Sequence, residues 1–83
     1  MLRFVVYGFG TTHDALAAEK ALADAGIPVA AVPTPKSLGA LCGIAVRTAL
    51  EDAERTESVL SASGIAWTGR VEIEDRVPGD LSR

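Results

Sequence analysis

The sequence predicts an α+β domain of two layers, a four-stranded antiparallel sheet with two helices on one face. Three observations carry that expectation. The apolar pattern of residues 4–32 recurs over residues 44–73, so that each copy reads strand, helix, strand. A glycine follows the helical stretch of each copy. The last stretch alternates apolar and polar residues as a half-buried strand does.

In the first copy the apolar run Phe4-Val5-Val6-Tyr7 leads to Thr11-Thr12-His13-Asp14. Thr11 with Asp14 three residues on is a weak capping box, in which a hydroxyl and a carboxylate satisfy backbone donors at the start of a helix. Ala15, Ala18, Leu22 and Ala25 then fall on one helical face. Gly26 stands where a helix closes through a left-handed residue, and Pro28 follows it. A second apolar run, Val29 to Val32, is the next strand.

The second copy starts at Ile44. Thr48 with Glu51 is the clearer capping box. Ala53, Thr56, Val59 and Leu60 share a face less cleanly than their counterparts, and Gly64 closes the helix. In the last strand Ile65, Trp67, Val71 and Ile73 take one side, and Ala66, Thr68, Arg70, Glu72 and Glu74 the other. Two such halves in so short a chain fit a ferredoxin-like βαββαβ sandwich.

Size and charge bound the rest. Eighty-three residues make one domain, with residues 1–75 as its body and 76–83 as a loose tail. Apolar residues make up 48 %, and the single cysteine leaves no internal disulfide, so the chain folds on packing alone, as suits a reducing compartment. The start, Met1 to Tyr7, is too short for a signal-peptide core, and no run approaches the roughly 20 apolar residues that span a bilayer. A net charge of −3 argues against nucleic acid as a partner. The expected location is cytoplasmic.

Residues 33–43 are the unusual piece. A hairpin needs about two to five loop residues, and this connection spends eleven. Long loops in compact domains are functional or disordered, and Pro33 and Pro35 stiffen this one at its start. Cys42, the only cysteine, ends it beside Gly43. Two roles fit that thiol: a packed small hydrophobe at the start of a strand, or an accessible nucleophile or persulfide carrier, with Gly43 giving another molecule room to approach. The expected topology puts both helix starts at the sheet edge opposite the start of the third strand. Cys42 then faces helix C-termini, where the dipole disfavours a thiolate. Lys36 is the compensating charge, with Arg3 as a second, and a short turn within Ser37 to Leu41 could add backbone donors.

Other motifs carry less. His13, the only histidine, is expected at the far edge, as a first-turn residue rather than a base for Cys42. Gly8-Phe9-Gly10 lacks the third glycine of a dinucleotide fingerprint and reads as a plain turn. One Cys and one His far apart build no metal site, and no cofactor is expected. The open sheet face is expected to carry Arg3, Val5, Tyr7, Ala45, Arg47, Thr68 and Arg70. With Tyr7 as its only aromatic, it suits a docking or homodimer surface better than RNA.

Thr11 to Leu16 with Glu19-Lys20, then Pro33-Thr34-Pro35-Lys36, then Cys42-Gly43-Ile44-Ala45, resemble in that order the small bacterial Se/S carrier protein-like family, over most of residues 3–74. The resemblance implies selenium or sulfur trafficking, with Cys42 holding the chalcogen as a persulfide or selenopersulfide between a donor and an acceptor protein. Lys36 and Gly43 would support it. Members often place small hydroxyl residues before the cysteine and Arg in the loop; here Gly39-Ala40-Leu41 and Lys36 stand there. The leading expectation is a carrier rather than a turnover enzyme. The alternative is a noncatalytic binding or regulatory module acting as a homodimer.

Overall fold

Strand and helix follow the predicted order in a computed structural model, which describes residues 2–34 and 43–75. The elements are β1 (Leu2–Gly8), α1 (Thr12–Asp24), β2 (Val29–Pro33), β3 (Ile44–Ala49), a 3₁₀ turn (Leu50–Asp52), α2 (Ala53–Ala62) and β4 (Gly69–Asp75). The sheet is antiparallel, in the order β2-β3-β1-β4. That is the ferredoxin-like sandwich. The expected tail, residues 76–83, lies outside the described residues.

The first helix begins as its sequence dictates. Thr11 has extended backbone angles, and its hydroxyl accepts the Asp14 N–H at 3.1 Å. The second does not. Thr48 lies within β3 opposite Val5, buried, with its hydroxyl unpartnered. The ladder is the reason: β3 is a central strand, and pairing with β1 continues to Phe4↔Ala49. The chain reaches α2 only through the 3₁₀ turn, and Asp52 makes no side-chain cap. Its carboxylate instead accepts from Arg55 at 3.3 Å.

Both helices end alike. Gly26 and Gly64 have φ of 79° and 73°, a conformation that costs other residues about 1–2 kcal/mol. The Ile27 and Ile65 N–H groups return to the Leu22 and Leu60 carbonyls at 3.0 and 2.9 Å. The Gly26 and Gly64 N–H groups return to Ala23 and Ser61 at 3.0 and 3.1 Å. This double bond set is the Schellman closure. Ala25 is exposed, so the buried face of α1 is Ala15, Ala18 and Leu22.

The core lies between sheet and helices. Val5, Tyr7, Phe9 and Val46 meet Ala15, Ala18, Leu22, Ala53 and Leu60 there. Burying Leu22 or Leu60 contributes about 1.5–3 kcal/mol each. The two sheet faces are therefore the reverse of the expectation for β1. Val5 and Tyr7 point at the helices, while Phe4 and Val6 point away, with Arg47, Ala45, Val71 and Ile73. Of the residues expected on the open face, Ala45 and Arg47 are there. Val6 and Ala45 are buried even so.

The last strand departs in one respect. Burial alternates from Ile65 to Glu74 as predicted, but β4 begins only at Gly69, after a bend at Thr68. Ile65 and Trp67, ahead of the bend, pack on the helix-side core. Val71 and Ile73, beyond it, pair with Val6 and Phe4 on the other face.

Candidate functional site

Register decides which ends of which elements meet. Gly8, the last residue of β1, pairs with Ala45 near the start of β3, and with Gly69 at the start of β4. Since Phe9, Gly10 and Thr11 lead directly from β1 into α1, the N-terminus of α1 lies at the sheet edge where Gly43 enters β3. The helix α2 starts beyond the far end of β3 and returns to β4, so its C-terminus reaches that same edge. The expectation that both helices start at the opposite edge holds for α2 and fails for α1. His13, exposed in the first turn of α1, therefore shares an edge with Gly43.

The long connection is shorter than its sequence suggests. Pro33 pairs with Ile44, extending the β2–β3 ladder, and the Thr34 N–H donates to the Gly43 carbonyl at 3.2 Å. Proline is tolerated there because β2 is an edge strand. Gly43 is exposed, its φ is not left-handed, and a Cβ on it would meet nothing within 4 Å among the described residues. Neither backbone nor packing there requires glycine. Cys42, Lys36 and the expected turn within residues 37–41 lie outside the described residues.

Arg3 has no part in this edge. It pairs with Glu74 across the ladder, with an ion pair of 3.2 Å. Gly8 lies five residues further along β1, roughly 17 Å at 3.4 Å per residue.

Backbone and aromatic contacts brace the edge. The Gly8 carbonyl accepts from the Thr68 N–H at 2.8 Å and from the Thr68 hydroxyl at 3.2 Å. Trp67 meets Tyr7 edge-to-face, with ring centroids 5.5 Å apart. Beside Trp67 an open depression of about 420 Å³ is lined by Ser61, Gly64, Ile65 and Ala66. Among the described residues, no group of His, Cys, Asp and Glu could hold a metal ion, and no helix is long and apolar enough to cross a membrane.

One cluster had no clear sequence signal. Tyr7 is fully buried, and its hydroxyl donates to Glu57 of α2 at 2.8 Å. Arg70 donates to the same carboxylate oxygen at 2.9 Å and to Glu72 at 3.2 Å. Burial, with Glu57 adding to it and Arg70 opposing, pushes the Tyr7 hydroxyl up to about 12. The contact ties α2 to β1 and β4. The signal available was general: a buried tyrosine needs a partner, but nothing in the spacing names Glu57.

A family model described as "Putative Se/S carrier protein-like" matches residues 5–72. No curated protein matches the chain.

Proposed function

The chain belongs to the Se/S carrier protein-like family, and from that membership we propose that it carries selenium or sulfur on Cys42. The Cys42 thiolate attacks the outer sulfur of a donor protein's persulfide. The donor S–S bond breaks, a new S–S bond forms on Cys42, and the donor leaves as a thiolate. No net oxidation occurs, because one persulfide replaces another. An acceptor thiolate then attacks the same outer atom and releases Cys42 as a thiolate. With selenium the transferred atom changes and the steps do not.

The single observation that supports this reading best is the setting of Gly43. The residue after the cysteine is exposed, unencumbered among the described residues, and at the edge where α1 begins. The positive end of α1 favours an anion nearby. The C-terminus of α2 opposes it, but two of its last carbonyls are already bonded by Gly64 and Ile65. Lys36, in the same connection, supplies a full positive charge to the persulfide or selenopersulfide anion. In this reading the protein works in the cytoplasm, between a desulfurase-like donor and an acceptor thiol.

The test is the alkylation rate of Cys42 against pH. An accessible carrier thiol labels quickly in the native protein, with a midpoint well below the free-thiol value of about 8.5. Lys36→Gln moves that midpoint up, and His13→Asn leaves it nearly unchanged. A cysteine that labels only after denaturation contradicts the reading. So does a midpoint that His13→Asn moves and Lys36→Gln does not.

A further inference from the structure

Among the described residues, the basic side chains are almost all committed to carboxylates. Of the five described Lys and Arg residues, Arg3 pairs with Glu74, Lys20 with Asp24, Arg55 with Asp52, and Arg70 with Glu57 and Glu72. Arg47 alone among the described residues has no carboxylate partner. Its guanidinium instead lies 4.3 Å over the Phe4 ring, on the sheet face away from the helices. Stacking of this kind holds the planar group in place and leaves its edge donors available for a bidentate carboxylate.

The surroundings narrow what could supply one. Phe4, Pro28, Val29, Ala30 and Ala49 line an open depression beside Arg47, about 220 Å³ in volume. Small-molecule sites run to about 300–1,000 Å³, so this one admits a single side chain rather than a metabolite. A second copy laid on the same face is a poor fit. The register places one acidic residue on the face of Arg47, Asp75 opposite Leu2, at the end of β4 and two strands away, while Phe4, Val6 and Ala45 closer to Arg47 are apolar. A copy centred on Arg47 would therefore bring it against apolar residues or another Arg47. Like charges in that position cost affinity.

We propose that the Arg47–Phe4 depression is the docking point for an acidic and apolar segment of a partner protein, whose Asp or Glu carboxylate meets the Arg47 guanidinium while its apolar neighbours cover Phe4 and Ala30. Arg47 is four residues along β3 from Gly43, roughly 13 Å, so a partner held there leaves the Gly43 edge accessible. The inference does not depend on the carrier reading, since neither Cys42 nor its cargo enters it.

The full chain, labelled with nitrogen-15, is titrated by NMR with a capped peptide of alternating valine and glutamate, its glutamine counterpart, and sodium acetate. The glutamate peptide is expected to give saturable shifts at the Arg47 Nε–H and at the Phe4 and Ala30 amides, weakening as salt rises. The glutamine peptide, and Arg47→Gln with the glutamate peptide, should bind about tenfold more weakly. Arg47→Lys, which keeps the charge and loses the planar fork, should fall between and covers the case in which Arg47→Gln disturbs the fold. Equal binding of both peptides, indifference to both variants, or the absence of saturable shifts overturns the proposal. Acetate saturating the site as tightly as the peptide also overturns it, because the depression would then be a simple anion site.

Discussion

The two strand–helix–strand halves share a pattern and differ in how their helices begin. In the first, Thr11 caps α1 with its own hydroxyl. In the second, the threonine that looks like the better cap is drawn into β3, and α2 starts after a 3₁₀ turn without a side-chain cap. The helix ends, by contrast, match bond for bond, with Gly26 and Gly64 in the same conformation. A closure of this type depends on a few consecutive residues. The start of α2 depends on how far β3 must run beside β1, which no local motif specifies.

The largest effect is expected where the halves meet, at Tyr7 of β1 and Glu57 of α2. Tyr7 is the only tyrosine, so the phenolate absorbance of the whole protein reports it alone. The native protein should titrate near 12 and the denatured chain near the ordinary value of about 10. Because the folded state keeps the proton longer, this contribution to stability is complete below about pH 10 and is lost as pH rises through about 12. Tyr7→Phe should abolish that part of the pH dependence. A native midpoint near 10 would remove the buried contact between the halves.

Smaller effects separate the two threonines. Thr11→Ala should cost about 1 kcal/mol in denaturant unfolding, the loss of a helix cap. Thr48→Val should do the reverse and raise stability by up to about 1 kcal/mol, because it removes a buried hydroxyl that has no partner. If Thr48→Val instead costs as much as Thr11→Ala, Thr48 is a cap after all and the two halves begin alike.

Much of this was legible in the residues. Element order and topology, the Thr11 cap, both glycine closures and the alternation along residues 65–74 follow from spacing and residue type. What failed were statements that need a register. The assignment of Tyr7 and Val5 to the open face required knowing which parity of β1 meets the helices, and a strand with apolar residues on both faces does not say. Arg3 as a neighbour of the start of β3, and His13 at the far edge, were misplaced within a topology that was itself correctly predicted: in that antiparallel sheet Gly8, not Arg3, stands beside the start of β3. Gly43 was legible as an unusual glycine; its exposed setting at the start of α1 was not.

The central claim, that Cys42 carries the chalcogen, is tested most directly by intact-protein mass spectrometry. The protein is incubated with a cysteine desulfurase and either cysteine or selenocysteine, so that the donor presents a persulfide or a selenopersulfide, and then digested to locate the adduct. One added sulfur or selenium atom is expected on Cys42, removed by an added thiol acceptor and absent from Cys42→Ser. An unmodified wild type, or the same adduct on Cys42→Ser, would contradict it.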